Sequence, residues 1–141
     1  MAETDTQIAQ QGAFRELTPL LPPEFYDALA LLHAGEYFEC HEVLEELWRE
    51  EHTSLRLFYQ GILQVAVGCY HLTARHNRRG GMNKLRAGLV KLQQFPAVMG
   101  LLDVEDLRQQ VRALLEQVES MSDEEIARLS PEPLLGVRYL G

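Results

Sequence analysis

The run LRLFYQGILQVAVGCYHLTAR, residues 55–75, limits the fold more than any other stretch of the chain. At about 100° per residue, Leu57, Phe58, Ile62, Leu63, Val65 and Ala66, and the apolar residues on to Leu72, point almost all the way round a helix. Such a helix in a water-soluble protein is surrounded by other elements. Its most apolar part, Ile62 to Leu72, is too short to span a membrane, and Gln64 and His71 interrupt it. It is therefore expected to be the central rod of an all-α bundle.

The flanking sequence supplies the rods to surround it. Pro23 can open a helix to about His33, which Gly35 ends. A second helix is expected over residues 36–51, with Tyr37, Cys40, Val43, Leu44, Leu47 and Trp48 on its apolar face. Thr53 and Ser54 offer a break and a cap before the third helix. Asn77 can cap a fourth, running to about Phe95 and stopped by Pro96. Gly80 and Gly81 near its start point to a close backbone approach or a loose first turn. A fifth is expected over 103–120, and residues 122–125 (SDEE) have the form of a capping box. The sum is a single helical bundle of about five helices built from antiparallel hairpins. Its expected limits are residues 13–130, after a polar tail at 1–12. Pro131 and Pro133 keep 131–141 extended, and its apolar residues point to docking on the bundle or on a neighbouring subunit. A faint echo at an offset of 41 aligns Cys40 with Gly81 and Leu44 with Leu85, as two side-by-side hairpins would.

Charge is divided along the chain. All 21 acidic residues fall in 1–51 and 103–141, while Arg56, Arg75, Arg78, Arg79, Lys84, Arg86 and Lys91 occupy the stretch between. The net charge of -8 argues against nucleic acid as a partner. The opposed segments are expected to face each other within one domain or across a homodimer. Residues 1–11 show neither the basic start nor the apolar stretch of a signal peptide. Cys40 and Cys69 form no CxxC pair and read as buried thiols of a reducing cytoplasm.

The polar residues of the second and third helices carry the functional question. His41 and Trp48 point nearly the same way from the second helix, and Glu45 lies about 40° beyond His41. Gln60, Gln64 and His71 fall within about 40° of arc on the third. The short link at 52–54 makes the two helices antiparallel neighbours, so the two polar stripes are expected to face each other. The HE pair at His41 and Glu42 is not a zinc-protease HExxH, because position 45 is glutamate. Cys40 with His41, and Cys69 with His71, diverge too far round their helices to act as dyads. No phosphate loop, dinucleotide fingerprint or nucleophile elbow is present.

The stretch from about Phe25 to Leu92 resembles a bacterial and archaeal family of small helical proteins of unknown function with an HxxxExxW signature. His41, Glu45 and Trp48 meet that signature, and Gln60, Gly61, Gln64, His71, Asn77 and Gly80 resemble its second block. The resemblance implies an all-α bundle and a role in metal binding, with no known reaction.

Two histidines and a carboxylate are a standard ligand set for zinc or non-haem iron, so His41, Glu45 and His71 could hold a divalent metal, with Gln64 or water completing the shell. The competing reading is a buried hydrogen-bond network in which Glu45 orients His41 and the glutamines serve the rest. Trp48 reads as a core anchor with its N–H bonded rather than a cofactor platform. Arg75, Arg78 and Arg79, with free amides at the start of the fourth helix, offer an anion site. The alternative there is a solvated turn paired with the acidic flanks. The function expected is thus a polar or metal site between helices two and three. The other possibility is a non-enzymatic interaction or regulatory module, with a protein or small-molecule partner.

Overall fold

The computed structural model describes residues 21–130 and 132–140, so the expected tail at 1–12 lies outside the described residues. Helix α1 spans Pro23–His33, α2 Tyr37–Glu50, α3 Leu55–Thr73, α4 Arg78–Leu92, α5 Val104–Ser120 and α6 Asp123–Ala127. The all-α bundle expected from the sequence is what forms. Two short antiparallel strands, β1 (Val98–Met99) and β2 (Leu102–Asp103), join α4 to α5. They were not anticipated, because a two-residue strand carries no periodicity to read.

Local chemistry sets most of the boundaries. Pro23 occupies the first turn of α1, where its missing N–H is no loss. Gly35, at φ +80°, turns the chain out of α1, and Glu36 N–H bonds back to Leu31 O at 2.8 Å. Ser54 makes no side-chain cap to α3; instead Thr53 Oγ1 accepts from Leu55 N–H at 3.2 Å. Asn77 caps α4 by accepting from Gly80 N–H, Asp103 caps α5 at Asp106, and Ser122 with Glu125 closes the capping box of α6.

Helix α3 is the hub. Phe58, Ile62, Val65, Ala66, Cys69 and Leu72 are completely buried, with α2 packed on one side and α4 on the other. The α3–α4 seam is built on glycine. A Cβ on Gly88 would stand 2.6 Å from Gly61 O and 2.8 Å from a Val65 methyl. A Cβ on Gly68 would stand 3.0 Å from Gly81 O, and one on Gly81 would stand 3.1 Å from Gly68 O. The pairs Gly61/Gly88 and Gly68/Gly81 lie two turns apart on each helix, so the backbones run antiparallel in near contact. Gly81 therefore answers to close approach. Gly80 is different: its added Cβ would meet the capping Asn77 side chain at 2.6 Å.

Sequence patterning gave no hint of the buried arginine. Arg108 on α5 is only 7% exposed. Its guanidinium donates at 2.8 Å to both Leu92 O and Phe95 O, and at 2.6 Å to Glu105 Oε2. It thereby satisfies the carbonyls left over where α4 ends, three residues before the expected stop at Phe95. The C-terminal segment lies along the bundle. Tyr37 Oη donates to Glu132 O and accepts from Leu134 N–H, and Gln110 clamps both backbone groups of Gly136 at 2.7 Å. Val137 N–H donates to His33 Nδ1, and Tyr139 bridges to Leu102 of β2.

Three outcomes test this account. Gly88→Ala is expected to lower stability by about 1–3 kcal/mol, because the methyl meets backbone that cannot step aside. Gly61→Ala meets only side-chain atoms of Lys91 and Leu92 at 3.2 Å. It is expected to stay within about 0.5 kcal/mol of wild type as alanine's helix propensity offsets the crowding. Arg108→Met, which strands the carbonyls of Leu92 and Phe95, is expected to cost about 1–3 kcal/mol. Urea unfolding followed by circular dichroism measures all three.

Candidate functional site

Helix α2 lies between α1 and α3, and its two flanks serve different surfaces. The flank toward α3 carries His41. On α3, Val67, Tyr70 and His71, with Arg75 just past its end, face it across the antiparallel pair. Together with Tyr37 and Phe38 they line a pocket of about 170 Å³. Phe38 and Tyr70 form an aromatic wall, with ring centroids 5.8 Å apart. The Arg75 guanidinium lies 5.8 Å from the Tyr70 ring.

The two imidazoles therefore share one pocket. Their surroundings differ. His41 Nε2 sits 3.0 Å from Glu45 Oε2, one turn along α2, and Glu45 Oε1 accepts from Arg49 at 2.7 Å. This staircase of His41, Glu45 and Arg49 runs along the half-exposed edge of the helix. Glu45 does not line the pocket. His71 has a buried Nδ1 with no hydrogen-bond partner among the described residues. Burial, then the nearby Arg75 and Lys84, hold its pKa below the usual histidine value.

The remaining expected residues are placed less centrally. Gln60 and Gln64 share the face of α3 that carries His71, but neither lines the pocket, and Gln64 Oε1 is buried without a partner. Trp48, near the α2–α3 turn, is half-buried and packs against the edge of the core. The Arg56 guanidinium stacks 4.1 Å from its ring, and Arg56 Nε donates to Trp48 O at 3.1 Å, closing the end of α2.

The three arginines of the 75–81 turn separate. Arg75 faces the pocket. Arg78 donates to Met121 O and Asp123, tying α4 to the start of α6. Arg79 is exposed. The amides at the start of α4 are largely used: Asn77 N–H bonds to His71 O, Gly80 N–H to the Asn77 side chain, and Gly81 N–H to Asn77 O. His76 adopts φ +50° to make this turn, and its Nε2 donates to Leu129 O at 2.8 Å.

Among the described residues no group of three or more His, Cys, Asp or Glu is arranged to hold a metal ion. As placed, the pocket offers two imidazoles with a guanidinium in the same wall, and the carboxylate is turned toward Arg49. That donor set does not fit a resident divalent cation, whose charge Arg75 would oppose. The thiols are no better suited to chemistry: burial pushes Cys40 up to about 12 and raises Cys69 as well. Among the described residues no helix is long and apolar enough to cross a membrane.

The chain is 35% identical over 108 residues to the Bacillus subtilis (strain 168) protein named "Uncharacterized protein YpuF". The match takes in 73% of this chain and 61% of that protein, so the chain spans about three fifths of the length of the curated relative it matches. Residues 25–84 match a family described as "Domain of unknown function (DUF309)". That stretch, over which the chain is similar to this family of unknown function, runs from the first buried aromatic of α1, through the pocket and the Gly68/Gly81 contact, into α4.

Proposed function

We propose that this protein is a small-molecule binding module whose pocket between α2 and α3 takes an anion attached to an apolar ring. One observation carries the reading. His41, His71 and Arg75 line a pocket that no carboxylate lines, beside Phe38, Tyr70 and Val67. A cation-poor, carboxylate-rich wall would select amines; this wall selects acids. At about 170 Å³ the pocket has the scale of a cavity that admits one benzene ring. A ligand that drew the His71 ring toward it would also give a partner to Nδ1, which is buried without one among the described residues. The role is binding rather than turnover, because the buried thiols are not activated nucleophiles. Two buried free thiols also support a reducing, cytoplasmic setting.

A zinc or iron site, implied by the family resemblance, is the second reading, and the His41–Glu45 pair at 3.0 Å is the observation that favours it. It requires Glu45 to leave Arg49 and His71 to turn its free nitrogen inward.

Benzoate and benzylamine, one ring with opposite charges, separate the readings. Benzoate is expected to shift the NMR resonances of Phe38, His41, Tyr70 and His71, and benzylamine is expected to shift none. Arg75→Gln should weaken benzoate by at least about tenfold, the value of a charge-assisted hydrogen bond. Equal response to both compounds would overturn the anion reading. Stabilisation by zinc that is lost in His41→Ala and His71→Ala would put the metal in its place.

His71 also sets a pH dependence. Its folded pKa lies below the ordinary 6.5. Below that value the unfolded chain binds more protons than the folded one, so stability falls with acidification until the pH passes the lowered folded value. Urea unfolding at neutral and mildly acid pH should show this decline in wild type and a smaller one in His71→Gln. The effect is small because the ring is partly open to solvent.

A further inference from the structure

The flank of α2 turned away from the pocket borders a second, larger groove. It measures about 650 Å³ and lies between α1, α2 and the first turn of α3. Glu24, Asp27, Glu46, Glu50 and Glu51 stand around it. Val43, Leu47 and Leu55 give it an apolar lining. Among the described residues none of these five carboxylates lies within ion-pair distance of a basic group. The Tyr59 hydroxyl in the same groove is pushed up to about 12, by burial and then by Glu51 and Glu24, and no cation offsets them.

The complementary surface is on the same chain. Arg79, Arg86 and Val90 fall on one outward stripe of α4, and all three are exposed, Val90 to 58%. Neither arginine is in an ion pair among the described residues. Apart from the Arg78–Asp123 pair, the opposed charges visible in the sequence are therefore not cancelled inside the bundle among the described residues. Helix α3 separates them: α2 packs on one of its sides and α4 on the other. One molecule cannot bring its own groove and stripe together, but two copies can.

We infer that the acidic groove of one copy receives the basic outer stripe of α4 from a second copy, a head-to-tail contact. Val90 enters between Val43 and Leu47, the apolar tooth meeting the apolar lining. Arg86 and Arg79, about 6 Å and 16 Å from Val90 along the helix axis and both on its N-terminal side, reach carboxylates on one side of that seat. Groove and stripe are different surfaces, so the contact is heterologous and does not stop at two by symmetry. The overall charge of -8 repels copies at long range, which keeps the association weak and reversible. Short-range pairing of exposed charges makes it sensitive to salt.

Sedimentation velocity of the full chain tests the contact. At about 50 mM salt the sedimentation coefficient is expected to rise with protein concentration, and at about 500 mM the rise should vanish as the charges are screened. Glu46→Lys/Glu50→Lys and Arg79→Glu/Arg86→Glu change exposed or half-exposed side chains, and thermal melts check that both variants fold. Each alone is expected to stay monomeric at low salt. Mixed in equal amounts they are expected to associate again, because each now carries the charge the other lacks. A wild type that stays monomeric at low salt overturns the inference. So does association that survives either reversal, or a mixture that fails to associate.

Discussion

The architecture rests on the near contact of the α3 and α4 backbones. Gly61, Gly68, Gly81 and Gly88 remove the side chains that would hold two helices apart, and they do so in pairs two turns apart. Close approach brings dispersion contacts along the whole seam and lets Leu72, Leu85 and Leu92 fill the space on either side. Each glycine costs helix propensity of about 1 kcal/mol, and packing offsets that only if the partner helix is in register. The seam therefore specifies register as well as adhesion. With α4 held there, Arg108 can reach the carbonyls at its end and anchor α5.

Because α3 is enclosed by α2 and α4, its polar residues must lie at the edges of those contacts. His71 and Arg75 emerge where α2 ends its cover, and Phe38 and His41 meet them there. The same position explains the Nδ1 of His71, which is enclosed and without a partner among the described residues. Tyr37 links this region to the C-terminal segment. One side of it lines the pocket, and its hydroxyl holds the backbone at Glu132 and Leu134. The pocket wall and the strap that closes the bundle thus share a residue.

Several parts of this arrangement could be read from the chain before any coordinates. The enclosure of α3 followed from apolar residues around its whole circumference. Asn77 and the Ser122/Glu125 box announced helix starts through their own short-range bonding. Antiparallel pairing of α2 with α3 followed from the short link, which set His41 level with residues 65–68; it shares a pocket with Val67, Tyr70 and His71. Other parts were hidden. Arg108 looks in sequence like one more polar residue of an amphipathic helix; only the end of α4, sixteen residues earlier in the chain, gives it a buried role. Arg78 looked equivalent to Arg75 and Arg79, yet the start of α6 claims it. Trp48 looked like a core residue by helical spacing, but it lies where α2 runs out of cover.

What the sequence determined by itself is the set of helices, their caps and the face each must bury. These follow from side-chain periodicity and from bonds within a few residues, which need no knowledge of distant partners. What only the tertiary structure decided is company: that His41 and His71 share a pocket with Arg75, that Glu45 turns to Arg49, and that acidic groove and basic stripe stand on opposite sides of α3. Such pairings depend on the axial offset and rotation between helices. Those are set by glycine contacts and buried hydrogen bonds between residues far apart in the chain, a geometry that no local pattern encodes.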